Sequence, residues 1–540
     1  MITLKNSKRD TKSFTHKILI IVLLIIQLVV LLYFGSLKKG MHFDECFSYF
    51  NTNNSFGRLS LDRTFDTKEE IMKDFYVLRG EQFNYPYVIK LQSYDVHPPF
   101  YYLLLHTVCS FTPMLFSIWQ GVGLNIFFAL ITTVFIYLIV KYFCDNPIVC
   151  FCITMFSVLN PGAISNVMFI RMYCLMTLEI VLCIFLHLKM NKYFELNRLP
   201  VIYCILGGGL AFVGFMTHYF FLVFLVFIEA AFFLSRLKGF KNNVFGLLKY
   251  YGSILLCGIL GIVFYPSCLG HVNSGYRGVQ VKSYLFDLSD ITSRIKFFNG
   301  LINDYVFSGS FYIFILIIVL LLLTLFVLKK KKGNKDFKNK ELILNLIIPV
   351  IGYYLISTKA SLIGEESMMR YQLPIYSLII VVFGLIMYKC ILGIFSSLTA
   401  QKIIGAVICL TFSVFMIFRL INNGVFFLYP EQEKMEETAS EHSSEVCIYI
   451  YNNENSHTFM WNDFAQLAKF DEIYYLSSEN LSPITEQKIA DADKLFVYVS
   501  TLGEHSDFSD YENLIFNSNS NVKEYTHVYD GMYAKAYEFY

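Results

Sequence analysis

Apolar runs of roughly 20 residues recur along this chain between short charged stretches, and they leave few folds open. A helix rises 1.5 Å per residue, so about 20 apolar residues cross the ~30 Å hydrocarbon of a bilayer. In lipid every backbone N–H and C=O must be satisfied internally, which for runs of this length means helices. Only 16% of the 540 residues are charged, against about 25% in soluble domains. The sequence therefore predicts a polytopic α-helical membrane protein with about eleven transmembrane helices. They fall near 18–34, 118–140, 147–160, 168–188, 200–216, 219–235, 246–265, 305–328, 341–357, 372–390 and 403–421. The run "PPFYYLLLHTVCSF" is short for a crossing and is expected to lie in or dip into the interface.

Charge sets the expected orientation. Lys5, Lys8, Arg9, Lys12 and Lys17 precede the first run, and no strong small-residue cleavage site follows it. We therefore expect an uncleaved first span with the N-terminus in the cytoplasm. Alternating the spans puts the basic stretches 189–198, 236–245 and 329–340 inside, as positive-inside loops should be. The first loop, 35–97, the loops 161–167, 266–303 and 358–371, and the C-terminal tail then lie outside a multi-pass cell-membrane protein. Two domains are expected: 1–421 in the membrane, with 35–97 as its first extracytoplasmic loop, and 422–540 outside. A net charge of +2 with no basic, aromatic-interleaved patch gives no reason to expect nucleic acid as a partner. Most of the 13 cysteines sit in or beside apolar runs, where they behave as small hydrophobes, and no CxxC pair suggests zinc.

The tail is different material. "EVCIYIY", "EIYYLS" and "KLFVYVS" read as strands, with helix-like "TFMWNDFAQLAKF" and "SPITEQKIADAD" between them. That alternation predicts a small extracytoplasmic α/β domain with a mainly parallel sheet. No glycine-rich loop follows its strands, so no nucleotide site is expected. Acceptor docking and structural covering both remain open as its role.

Polar residues gather at the expected outer ends of the spans. Asp44 and Glu45 follow the first span in "HFDE", Asp95 and His97 precede the interfacial helix in "DVHPP", and Arg171 and Tyr173 open the fourth span. His218 lies in the hinge between the fifth and sixth, and Arg370 and Tyr371 precede the tenth. Alone, Arg171 could be a headgroup anchor, His218 a satisfied structural histidine and Asp44–Glu45 a solvated loop pair. Together, on one side of an apolar chain, they point to a shared outer cavity. The prolines after His97 suit a helix start and keep His97 extended, so the corner aims Asp95 and His97 outward.

"DVHPP" with the upstream "DE", "RMY" at the fourth span, the hinge "THYFF" and "RYQLP" before a late span resemble bacterial GT-C glycosyltransferases. The superfamily is that of the protein O-mannosyltransferases and aminoarabinose transferases, and the likeness covers roughly residues 18–421. It implies a membrane catalytic domain that moves a sugar from a polyprenyl-phosphate donor to an acceptor hydroxyl outside the cytoplasmic membrane, with inversion. Asp44 would be the catalytic base, and Glu45 would orient it or the acceptor. Arg171 would grip the lipid phosphate, and Arg370 would share that charge or bind the sugar. Asp95, His97, Tyr173, His218 and Tyr371 would help bind substrate. The acceptor could be a glycan, a lipid or a protein; no sugar-binding insert like that of the eukaryotic mannosyltransferases interrupts the middle loops. No cofactor is implied with certainty and no metal ligands are assigned, although a divalent cation bridging carboxylate and phosphate would suit such a site. A transporter or flippase of lipid-linked saccharides is the alternative, and it should show repeated halves with interrupted helices. An assembly scaffold would leave the loop carboxylates unexplained.

Overall fold

The computed structural model describes the chain except residues 1, 54–63, 196–198, 238–239, 288, 333–339, 423, 452–460, 478–479 and 502–507. Part of the basic loop expected at 329–340, and Arg198, thus lie outside the described residues. Two compact units are present: Met1–Gly35 with Gln92–Tyr101 and Val122–Phe426, and Ser36–Leu91 with Tyr102–Gly121 and Phe427–Tyr540.

The first unit is a bundle of apolar helices, and each of the eleven expected spans coincides with a helix. Among the described residues eight helices are long and apolar enough to cross a membrane, or nine if a bent pair counts as one span: Ser13–Leu37 within α1 (Ile2–Leu37), Ile118–Phe143, Tyr173–Tyr193, Val244–Phe264, Phe311–Leu328, Lys340–Ala360, Leu373–Ile394 and Leu398–Ile421 are the eight. The helices Val201–Thr217 and Phe221–Arg236, of 17 and 16 residues, are shorter. The expected third span is broken. Asn146 caps Pro147–Leu159, accepting from Ile148 and Val149 N–H, and Asn160 caps Pro161–Met168, accepting from Ala163 N–H. Each Asn-Pro pair starts a helix because Asn satisfies orphan donors while Pro has none to lose. The second pair also ends the preceding helix, and the two segments bend by 52°.

The second unit is built on a six-stranded sheet in the order β1-β3-β2-β4-β6-β5. Its strands are β1 Phe65–Thr67, β2 Val446–Tyr451, β3 Glu472–Ser477, β4 Leu495–Ser500, β5 Tyr525–Asp530 and β6 Ala534–Phe539. The three expected strands form its parallel centre, β3-β2-β4. The sheet as a whole is mixed rather than mainly parallel, because β1, β5 and β6 all pair antiparallel. The first loop contributes β1, with Phe65 opposite Tyr474 and Thr67 opposite Glu472. One face buries Ile448, Ile450, Leu476, Val497 and Val499 against Ile489 and Ile515. Of the stretch expected to be helical from 458 to 470, the described residues hold a 3-10 turn at 461–463 that runs into the short helix Phe464–Leu467.

Candidate functional site

Within the membrane unit, the break after Met168 places Arg171. Residues 169–172 leave the helix before Tyr173–Glu195 begins. Irregular backbone at such depth persists only where protein or a cavity satisfies it. Asn125 supplies that satisfaction, donating from Nδ2 to Val167 O (3.1 Å) and Phe169 O (2.8 Å). Arg171 is thereby presented 97% buried, away from the lipid anchoring that a lone arginine would suggest.

Its guanidinium faces His97. Nη2 of Arg171 is 3.5 Å from His97 Nε2, and Asp95 Oδ2 is 3.4 Å from His97 Nδ1. The guanidinium can only donate, so Nε2 accepts and the ring proton belongs on Nδ1, facing the carboxylate. Burial alone would raise the Asp95 carboxyl, but His97 and then Arg171 outweigh it and hold the group below its ordinary range. The His97 ring meets His218 at 5.7 Å, and His218 meets Tyr173 at 5.3 Å. Tyr173 reaches Tyr371 at 6.5 Å, and the Arg370 guanidinium lies 5.3 Å from the centre of the Tyr371 ring. All seven predicted substrate-binding residues thus form one contiguous cluster. Burial, and after it the neighbouring His97 and Arg171, push His218 well below the ordinary histidine range, so it stays neutral. Its Nδ1 accepts from Phe220 N–H at 3.0 Å.

Sequence reasoning missed the braces around this cluster. His271 accepts from the Tyr219 hydroxyl (3.0 Å) and donates to Ser93 O (3.2 Å), tying the hinge to the segment before Asp95. Tyr353 donates to Tyr371 O at 2.8 Å. Only the scarcity of histidine in apolar sequence could have drawn attention to His271.

Asp44 and Glu45 belong to the second unit, in the first turn of α2 (Phe43–Asn53). Adjacent helical residues point about 100° apart, and the pair separates accordingly. The Glu45 side chain is fully buried, its oxygens 3.0 and 3.1 Å from Lys38 Nζ. It also accepts from His42 N–H at 2.7 Å, while His42 Nδ1 accepts from Asp44 N–H at 3.1 Å. This is a reciprocal capping box with histidine as the cap. Lys38 also donates to Phe427 O at 2.6 Å. Glu45 therefore holds the start of the helix that carries Asp44, with its own oxygens enclosed. Asp44 remains 22% exposed, 3.7 Å from His42 Nδ1.

Other polar groups have settled roles. Glu179 accepts from the Thr217 hydroxyl at 2.6 Å. Deeper in the bundle His187, Glu229 and Tyr250 bind one another at 2.8–3.3 Å, an inner polar knot that loop composition did not foretell. On the sheet unit His442, Glu445 and Glu538 offer ligand atoms within 4.8 Å of one another. Lys494 stands 2.6 Å from Glu538 Oε1, so a cation already occupies that oxygen.

No family model and no curated protein matches this chain. Among solved structures it is similar to ArnT from Cupriavidus metallidurans bound to undecaprenyl phosphate. The identity is 9% and the TM-score 0.52, over 96% of this chain and 97% of that one. At that identity the likeness is one of fold: the chain has the GT-C fold.

Proposed function

We propose that this protein is an integral-membrane glycosyltransferase that takes a sugar from a polyprenyl-phosphate donor and gives it to an acceptor hydroxyl on the extracytoplasmic face, with inversion. One observation carries the reading. Residues from four separate stretches of a membrane bundle converge on a buried arginine, in a fold whose solved neighbour holds undecaprenyl phosphate.

In this reading the Arg171 guanidinium binds the donor phosphate as a planar fork and stabilises the charge that grows as the phosphate leaves. Asp95, through His97, fixes the face that Arg171 presents. Arg370 adds a second positive charge, held over Tyr371. Asp44 takes the proton from the acceptor hydroxyl as its oxygen bonds to the anomeric carbon. The bond from that carbon to the phosphate oxygen breaks on the opposite face, and polyprenyl phosphate departs with the electron pair. Acceptor and sugar are set by contacts that these residues alone do not define.

Mass spectrometry of surface glycans from a deletion strain tests the proposal. A sugar should be missing, restored by the wild-type chain and not by Asp44→Asn. An unaltered glycan profile in the deletion strain would overturn it.

A further inference from the structure

We infer that Trp461 is a positioning residue for transfer: its indole sets the roll of α2, and hence the direction of the Asp44 carboxylate. The inference rests on the proposed role of Asp44 and gives the sheet unit a task.

Phe43, Cys46, Phe47 and Phe50 are spaced i, i+3, i+4 and i+7, so they line one face of α2. That face lies on the segment after 460. The Trp461 ring packs at 4.0 Å, tilted 32°, against Phe50 and at 5.2 Å, edge on, against Phe47. Cys46 Sγ reaches Trp461 O at 3.2 Å, and Phe43 approaches Tyr533 at 6.1 Å. The indole therefore wedges between two rings one turn apart. The Lys38–Glu45 pair holds the start of the helix, and Tyr49, donating to Ser117 O at 2.9 Å, and Asn53, donating to Phe75 O at 2.9 Å, hold other positions, so the face of Cys46, Phe47 and Phe50 is the one left to Trp461.

Trp461 is 95% buried, yet its N–H has no hydrogen-bond partner among the described residues. Buried indoles usually find one, so shape rather than polarity accounts for this ring. The leverage is large enough to matter. A roll of about 15° moves a group at the ~5 Å side-chain radius of a helix by more than 1 Å. A misplacement of about 1 Å can cost about 100-fold in rate.

The test uses the full chain in membranes, with Trp461→Ala, Trp461→Phe and Ile515→Ala. Ile515 lies in the core on the sheet, to which no residue of α2 belongs, so its truncation loosens that core without removing a contact of α2. Per folded molecule, Trp461→Ala should lower transfer by about 100-fold while undecaprenyl phosphate binds as before. Trp461→Phe keeps the ring contact and should restore most of the rate, and Ile515→Ala should leave it unchanged. Hydrogen exchange should quicken in 43–53 for Trp461→Ala alone. Unaltered exchange there, equal losses in Ile515→Ala, or a parallel fall in undecaprenyl phosphate affinity would overturn the inference. Exchange is read without any transfer assay, so failure of the enzymatic reading remains distinguishable from failure of this one.

Discussion

Around Arg171 the interacting groups carry two guanidiniums, Arg171 and Arg370, against one carboxylate, Asp95. Around α2 carboxylates predominate: Glu45 meets the Lys38 ammonium, and Asp44 lies 3.7 Å from His42 Nδ1. Guanidinium forks held in a buried cluster suit a ligand that brings negative charge, such as a phosphate. A carboxylate left 22% exposed beside one that is enclosed suits a base held in place by its neighbour. The comparison teaches that Asp44 and Glu45, adjacent and chemically alike in sequence, divide the work: one stays partly exposed and one is spent on the fold.

The largest expected effect follows from removing the partly exposed acid. Asp44→Asn keeps the cap, because the Asp44 backbone N–H is what His42 accepts. Transfer should fall by about 10²–10⁴ with thermal stability unchanged. Lys38→Met tests the spent acid and leaves Glu45 buried without its ammonium. Removing one partner of a buried pair costs about 3–5 kcal/mol, measurable as denaturant resistance of the purified protein. Arg171→Ala should weaken undecaprenyl phosphate binding by about 10- to 100-fold, the worth of charged hydrogen bonds of about 1.5–3 kcal/mol. Binding by wild type and variant can be compared by native mass spectrometry, and equal affinities would erase the positive half of the comparison.

The smallest effect is a pH dependence in the sheet unit. Burial raises the Asp463 carboxyl to about 7, with a hydrogen bond from Tyr449 opposing the shift. An acid raised on folding binds more protons folded than unfolded, so stability falls as pH climbs from about 4 towards 7 and levels off above. Between pH 6 and 8 the loss is about 1 kcal/mol. Trp461 fluorescence melts in a Trp119→Phe background should show that slope, and Asp463→Asn should flatten it.

The membrane helices were legible because lipid demands long apolar runs, and the Arg171 cluster because polar groups in such runs are conspicuous. Its members came from positions 95 to 371, yet each carried its own local anomaly. The braces did not. Asn125 and His271 act by bonding backbone far away in sequence, which leaves no periodic trace. The parallel strands β2, β3 and β4 were readable as buried apolar runs, whereas β1 has three residues and β5 is mostly exposed. Pairing between "FDT" and "EIYYLS" spans some 400 residues and is encoded in neither segment. Trp461 looked like one aromatic of a greasy helix, and its place against Phe47 and Phe50 appears only in the folded chain.

The most direct test measures both products of the proposed reaction together. Membranes of a deletion strain, with their own donor and acceptor, receive the purified chain, and undecaprenyl phosphate is followed by mass spectrometry alongside newly glycosylated acceptor. The account predicts that wild type releases the lipid phosphate in step with sugar transferred, while Asp44→Asn releases neither. Glycosylated acceptor appearing without lipid phosphate, or equal yields with Asp44→Asn, would contradict it.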